Sequence, residues 1–375
     1  MTHWRTFPLG TAIELAYGKS LPKGSRVEGG SIPVYGSNGI TGWHDTAVVN
    51  GPTVIVGRKG SAGAVQFVDG PCFPIDTTYY ARPREGFEFD IKFLYYLLRQ
   101  LDLSRLKTAT GVPGLTREDA YRETIFVPPL PEQRRIVDLL SRAEGIVRLR
   151  WEAEKKAAEL IPALFLDMFG NPATNPKGWP VKLLGELAAS EKYAIKAGPF
   201  GSALKKEMYV PTGYKIYGQE QVIRDDLSYG DYYIDDSKYR ELESCKIQTH
   251  DLLISLVGTF GKISVVPEAF QPGIINPRLM KITLDRSQIL PRFLKALLTG
   301  NTMRARIEDR SHGGTMSIVN VGIMKSLEIF VPPLALQSQF VANADAMLSV
   351  QTQQSAATTK AQATFDALLA QAFSA

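Results

Sequence analysis

Two stretches of this chain share one rhythm of apolar positions. After Pro131, apolar residues recur at alternating spacings of four and three: Ile136, Leu140, Ala143, Val147, and then Ala157, Ile161, Leu164, Met168. Phe340, Ala344, Met347 and then Ala361, Phe365, Leu368 repeat the pattern near the other end. That spacing is a heptad seam on a long helix. The middle of each seam is polar, with Arg150 and Glu154 in the first and Gln351, Gln354 and Thr358 in the second. About 35 residues at ~1.5 Å each span about 50 Å. Pro162 is expected to kink the first helix near its end. Each helix alone leaves an apolar stripe exposed, so equal lengths predict an antiparallel pair. If each helix merely packed on its own neighbouring globular part, the matched lengths would go unexplained.

Elsewhere the pattern is of short β-rich runs between turn residues. Ile32–Tyr35, Thr53–Val56, Ala64–Val68, Leu252–Val257, Lys262–Val266 and Met280–Leu284 are rich in Val, Ile, Tyr and Thr and are bounded by Gly, Pro and Asn. Helical patterns intervene at Ile91–Leu101 and Pro291–Thr299. Each globular head therefore reads as α+β with a mixed sheet. The run from Gly170 to Gly178, rich in Asn, Pro and Gly, breaks regular structure and marks the start of the second head.

The two halves are copies. Ile125 to Val137 reads IFVPPLPEQRRIV and Ile329 to Val341 reads IFVPPLALQSQFV, with eight of thirteen positions identical at an offset of 204. Background frequencies give about one match. The offset holds through both helices, where Ala163, Leu164 and Phe169 match Ala367, Leu368 and Phe373. In the heads it drifts: Trp4, Leu9 and Gly10 match Trp179, Leu184 and Gly185 at 175, and the segment from Val54 matches that from Leu252 at 198. Invariant helices with variable heads suggest a measured spacer. The predicted boundaries are a first head over 1–130, a spacer helix over 131–170, a second head over 171–333 and a second helix over 334–375. A duplicated chain carries the paired geometry that DNA readers usually obtain by dimerising.

Composition narrows the field. The chain has 375 residues, 44% hydrophobic and 22% charged, which describes an ordinary globular protein of two or three domains. No apolar run approaches the ~20 residues of a membrane span. The opening residues lack a basic-then-apolar leader pattern, and Cys72 and Cys245 cannot form a disulfide framework, so a cytoplasmic setting is expected. Net charge is +5, a mild bias toward nucleic acid that no terminal tail carries.

Catalytic signatures are absent. Gly18-Lys19-Ser20 ends like a P-loop, but Ile13 stands where the first Gly is required, and Gly258–Lys262 has the wrong spacing. Four scattered histidines offer no metal site, and no G-x-S-x-G elbow occurs. Asn171-Pro172, Asn175-Pro176 and Asn276-Pro277 lack the second Pro and the aromatic of an amino-methyltransferase tetrad. A binding protein is expected, with no catalytic residue, metal or cofactor of its own.

The candidate contacts are loop residues. Glycine-rich turns at Gly57–Gly63 and Gly258–Lys262 carry Arg58, Lys59 and Lys262, suited to phosphate; the bland reading is a hairpin whose glycines serve geometry alone. Two segments unlike each other, Tyr35–His44 and Lys196–Lys206, suit specificity loops. Asn38 could pair with adenine, although Asn38-Gly39 is also a turn signal. Lys196, Lys205 and Lys206 suit phosphate. Thr108–Arg117 and Arg304–Thr315 read as loops, which makes Arg117, Arg310 and His312 candidate DNA neighbours. On the first helix, Leu139, Ile146 and Leu160 lie beside the main seam and would dock partner helices.

Taken together, the chain resembles the specificity subunits of type I restriction–modification enzymes. The resemblance rests on the repeated I-F-V-P-P-L…Q segments entering long helices, on Val181–Glu186, and on Gly198-Pro199-Phe200-Gly201-Ser202 and Leu253-Ile254-Ser255…Gly258-Thr259-Phe260-Gly261. It implies two target-recognition domains separated by an antiparallel coiled-coil pair, each reading one half of a bipartite double-stranded DNA target. It also implies two modification subunits that use S-adenosylmethionine to methylate adenine, and restriction subunits that consume ATP. Heads about one helical turn (34–36 Å) apart would read roughly three to four base pairs each across an unread gap of roughly six or seven. One departure stands out: Leu336 lies opposite Glu132, so the two helices need not begin with the same contacts. The competing readings are a protein-binding scaffold, whose binding would ignore salt, and a stand-alone DNA-modifying enzyme, which would act unaided.

Overall fold

The structure, a computed structural model, describes residues 4–108, 112–256, 261–311 and 320–374. It divides into two compact units, one of residues 1–153 with 354–375 and one of residues 154–353.

In the first unit the chain runs through β1 (Arg5–Pro8), α1 (Leu9–Ala12), β2 (Ile13–Tyr17), β3 (Ile32–Gly36), β4 (Gly39–His44), β5 (Thr53–Gly57), β6 (Val65–Val68), β7 (Phe73–Pro74) and β8 (Thr78–Pro83). It continues through α2 (Ile91–Gln100), α3 (Arg117–Tyr121) and β9 (Thr124–Val127) into the long helix α4 (Leu130–Phe169). The strands form an antiparallel sheet of order β2-β8-β5-β6, a mixed sheet β4-β3-β7 and a ribbon β1-β9.

The second unit contains β10 (Val181–Leu183), β11 (Ile195–Ala197), β12 (Tyr214–Tyr217), α5 (Gln219–Arg224), β13 (Tyr233–Ile234), α6 (Asp236–Glu241), β14 (Leu252–Ser255), β15 (Ile263–Val265), β16 (Gly273–Ile275) and β17 (Leu279–Ile282). Then come α7 (Pro291–Thr299), α8 (Asn301–Ser311), α9 (Val321–Lys325), β18 (Glu328–Phe330) and the long helix α10 (Leu334–Ala372). Its sheets are β11-β17-β14-β15, β13-β12-β16 with β12 and β16 parallel, and β10-β18. The topology of one head is reproduced strand for strand in the other, so the duplication is one of fold, and the α+β class with mixed sheets holds.

The two long helices have 40 and 39 residues and pack together. In the first unit Ile136, Leu140 and Val147 of α4 share a core with Phe365, Leu369 and Phe373 of α10 and with Phe93, Leu94, Tyr96 and Leu97 of α2. In the second, Phe165 and Phe169 of α4 meet Phe340 and Ala344 of α10 and Phe293 and Leu294 of α7. The start of each helix thus lies with the end of the other, which is the antiparallel arrangement. Phe165, Phe169, Phe293, Phe330 and Phe340 form one aromatic cluster with ring centroids 5.0–6.5 Å apart. Helix α4 continues for seven residues beyond Pro162. Of the polar mid-seam, Thr358 is buried and returns its hydroxyl to the Gln354 carbonyl (3.0 Å). The Gln351 amide donates to the Ala157 carbonyl.

Both helices begin with one buried Gln. Pro128-Pro129 and Pro332-Pro333 hold the strand exits extended, because proline fixes φ and constrains its predecessor. One turn on, Gln133 (1% exposed) accepts from the Asp90 amide and donates to the carbonyls of Glu88 and Pro128, all at 2.9 Å. Gln337 (0% exposed) accepts from Leu290 N (2.8 Å) and donates to Gln288 (3.1 Å) and Pro332 (2.8 Å). Asp90 and Leu290 are the N-caps of α2 and α7. One side chain therefore ties the Pro-Pro turn to the head helix in both copies. The Glu132/Leu336 difference leaves this untouched: Glu132 pairs with Arg135 on the surface, and Leu336 packs on the core.

The Gly170–Gly178 loop caps the first helix. Gly170 adopts φ +81°, and Lys177 Nζ donates to the carbonyls of Asp167 (2.7 Å) and Met168 (2.9 Å), satisfying the last turn.

Candidate nucleic-acid interface

In the first head the sequence-predicted residues fall into two places. Asn38 is exposed at the tip of the β3–β4 hairpin, followed by Gly39 at φ +115°. Arg26 braces that hairpin, donating to the Thr41 carbonyl at 2.6 Å. Trp43 and Ile40 of β4 stand exposed beside it. Arg58, Lys59 and Arg117 lie elsewhere, at the ends of β2, β5 and β8.

That second place is built from backbone outward. Arg58 N donates to Thr77 O (2.8 Å) and Leu115 N donates to Arg58 O (2.9 Å). The buried Tyr79 hydroxyl donates to Leu115 O (3.0 Å). These bonds fix the segment that delivers Arg117, the first residue of α3, whose cap Thr116 accepts from Asp119 N (3.2 Å). The Arg117 and Arg58 guanidinium carbons lie 4.4 and 5.3 Å from the centroid of the Tyr17 ring. Neither side chain has a hydrogen bond or ion pair among the described residues, and the Nε of each is enclosed and unpartnered. Tyr17 itself is 48% exposed. Burial pushes the neighbouring Tyr79 hydroxyl up to about 12, against the pull of both arginines. Lys59 is exposed, with its amide on Thr77 O (3.1 Å).

The glycines of this turn serve geometry. A Cβ on Gly57 would lie 2.1 Å from Ser61 O, and one on Gly63 (φ +83°) 2.3 Å from Ser104 N. The cationic side chains are what geometry does not require.

In the second head Lys196 sits on β11 with its ammonium 5.6 Å from the Tyr193 ring. Lys205 and Lys206 are exposed, as are Phe200 and Lys262. Arg310 is not in a loop: the expectation of a loop from Arg304 fails, because Met303 and Ile307 bury one face of α8 in the core. Arg310 donates to Ser326 O (3.2 Å) instead. His312, Gly258, Thr259 and Phe260 lie outside the described residues, as do residues 109–111 and 313–315 of the two expected loops.

The two variable segments occupy different places in the two heads. Gly198, in Lys196–Lys206, corresponds to Gly18. A Cβ on Gly198 would lie 1.9 Å from Asn276 O and one on Gly18 2.1 Å from Ile75 O, the same close approach at the same strand end. The hairpin Tyr35–His44 belongs to the β3 position, whose counterpart is β12. Tyr17 was missed by sequence reasoning; a Tyr closing an alternating strand is an ordinary strand residue until its neighbours are known.

On the long helices, Leu139, Ile146 and Leu160 are 43%, 53% and 49% exposed and fall at multiples of seven, hence on one face of α4. Among the described residues no cluster of His, Cys, Asp and Glu could hold a metal ion, and no helix is long and apolar enough to cross a membrane.

The type I restriction modification DNA specificity domain family matches residues 1–158 and 176–358. No curated protein sequence matches the chain. Among solved structures, the S subunit of a type I restriction–modification system from M. genitalium superposes with TM-score 0.64 at 16% identity, covering 100% of this chain and 96% of that one. A chain from a structure describing complex assembly and conformational transition of the type I R-M system gives TM-score 0.62 at 19% identity, covering 100% and 98%. At these identities the likeness is one of fold.

Proposed function

Since this chain belongs to the type I restriction modification DNA specificity family and carries its domain twice, we propose that it is the DNA-reading subunit of a type I complex, each head taking one half of a bipartite target. The observation that carries this reading is the strand-for-strand repetition of the head with unlike connections: β3 and β4 form a tight hairpin, whereas α5 separates β12 from β13. A conserved frame with unlike loops suits two readers of unlike sequences.

In this reading Asn38 contacts a base edge, while Arg58, Lys59, Arg117, Lys196, Lys205, Lys206 and Lys262 face phosphate. Arg310, held on Ser326, and His312 complete the set. Two modification subunits dock on the exposed face of α4 at Leu139, Ile146 and Leu160 and supply S-adenosylmethionine chemistry; restriction subunits supply ATP-driven cleavage. The chain itself contributes recognition and spacing, in keeping with a sequence that lacks a coherent catalytic set.

Exchanging residues 1–130 for the head of another family member, followed by methylome sequencing, tests the assignment. One half-site should change and the other persist. A change in both halves, or in neither, would refute modular reading.

A further inference from the structure

The two heads share a fold but not a charge at one equivalent place. Tyr17 faces Tyr79 across β2 and β8, and Ala197 faces Met280 across β11 and β17. Val56 pairs with Tyr79 and Ile254 with Met280, so Arg58, two residues past Val56, corresponds to Leu256. The backbone agrees: Arg58 N donates to Thr77 O, and Leu256 N to Arg278 O, each acceptor lying two residues before the facing strand residue. Arg117 opens α3 after a capping Thr116, and Val321 opens α9 after a capping Asn320. The trio Tyr17, Arg58, Arg117 is therefore replaced as a set by Ala197, Leu256, Val321.

In the second head Ala197 and Leu256 are core residues, and Val321 packs against that core. The fold thus closes this corner with aliphatic side chains and does not need cations. In the first head two guanidinium groups stand no more than about 10 Å apart against one ring, with no carboxylate on either. Asp76, in the loop whose Thr77 carbonyl accepts from both Arg58 and Lys59, forms no ion pair with them. Like charges held together without a counter-charge repel, and guanidinium forks with free donors match phosphate oxygens.

We propose that Tyr17, Arg58 and Arg117 form a phosphate seat on the first head that the second head lacks, and that its occupant is a DNA backbone phosphate. At this corner the two heads then meet DNA unequally: the first adds a salt-sensitive phosphate contact, and the second, whose Ala197 and Leu256 are buried, adds none. The inference rests on the DNA-reading function above and assigns one of its contacts.

The test uses the full chain and a fluorescent duplex of about 30 base pairs, with the dissociation constant followed from about 50 to 200 mM NaCl. The variant Tyr17→Ala/Arg58→Leu/Arg117→Val imports side chains the sibling head already accommodates; Arg117→Val alone, at a half-buried helix start, is the milder form. Each displaced phosphate contact contributes about 0.9 to the slope of log K against log salt. The slope should fall by about one in the triple variant, by less in Arg117→Val, which leaves Arg58 on the phosphate, and remain unchanged in Arg58→Lys/Arg117→Lys, which keeps the charge. A steep wild-type slope that both variants preserve would overturn the seat alone. Wild-type duplex binding that ignores salt would overturn the DNA-reading function itself. Thermal melts in inorganic phosphate separate the sources: a phosphate-dependent rise in Tm lost in the variants, with the DNA slope intact, would overturn the DNA assignment in favour of a free anion.

Discussion

Replacing Gln133 by Leu removes the tie between the Pro-Pro turn and α2 without changing the size of the side chain much. Three hydrogen bonds disappear, to Asp90 N, Glu88 O and Pro128 O. Each contributes about 0.5–1.5 kcal/mol net, and each partner left buried without water costs about 1–3 kcal/mol. The part-exposed Glu88 carbonyl can recover water, and Leu gains some apolar transfer energy. The balance is a loss of about 2–4 kcal/mol. For a unit of this size about 1 kcal/mol moves Tm by roughly 2–4 °C, so calorimetry should show a fall of roughly 5–15 °C. Gln133→Glu extends the test through pH. Its carboxylate would face two carbonyl oxygens, which raises its folded-state pKa above the ordinary ~4.3. Stability is then greatest when the group is protonated in both states and falls as pH rises through that folded value. A Leu variant within about 1 kcal/mol of the parent, or a Glu variant indifferent to pH between about 4 and 8, would show that the Gln is a passenger of the motif.

Gly18→Ala and Gly198→Ala should each cost about 2–4 kcal/mol, because the new methyl would meet a carbonyl oxygen at 2.1 or 1.9 Å; urea midpoints read the loss. Burial holds the hydroxyls of Tyr79 and Tyr217 up to about 12, above the unfolded ~10. Their share of stability is complete below about pH 10 and is lost as pH rises toward 12, so circular dichroism should show alkaline unfolding that Tyr217→Phe postpones. Leu139→Glu with Leu160→Glu should abolish co-purification with modification subunits while leaving the melting of the heads within about 1 kcal/mol; intact assembly would remove α4's outer face from the interface.

What was legible in the chain was what repeats along it. The seams of α4 and α10 and the apolar face of α2, with Phe93, Leu94, Leu97 and Leu98 buried, follow from helical period alone. The six strand runs read from the sequence lie within a residue or two of β3, β5, β6, β14, β15 and β17, because Val, Ile and Tyr cluster there between Gly and Pro, whereas β8, β11, β12 and β16 went unread. The Arg304–Ser311 helix was hidden by its composition: NTMRARIEDRS is mostly polar, and two buried residues, Met303 and Ile307, decide it. Tyr17, Arg58 and Arg117 are brought together by strand register and by Leu115 bonding in two directions, none of which leaves a periodic trace. The counterpart of Gly198 is not legible in the sequence, because insertions shift the offset between heads; the shared close approach of backbone identifies it as Gly18. Gln133 and Gln337 stood in plain view in the repeated motif, but identity alone does not say that a side chain bonds to three backbone groups.

The last turns of α10 belong to the first unit, where Phe365, Leu369 and Phe373 pack against Phe93 and Tyr96. On the ribosome, then, the head that is made first is the one that must wait. Its interior stays open until residues 154–353 have been synthesised, whereas the second unit has all of its chain by Gln353. A nonsense codon late in the reading frame would injure the earliest-made lobe and spare its younger sibling, and any chaperone that guards this polypeptide has its longest task at the amino-terminal end.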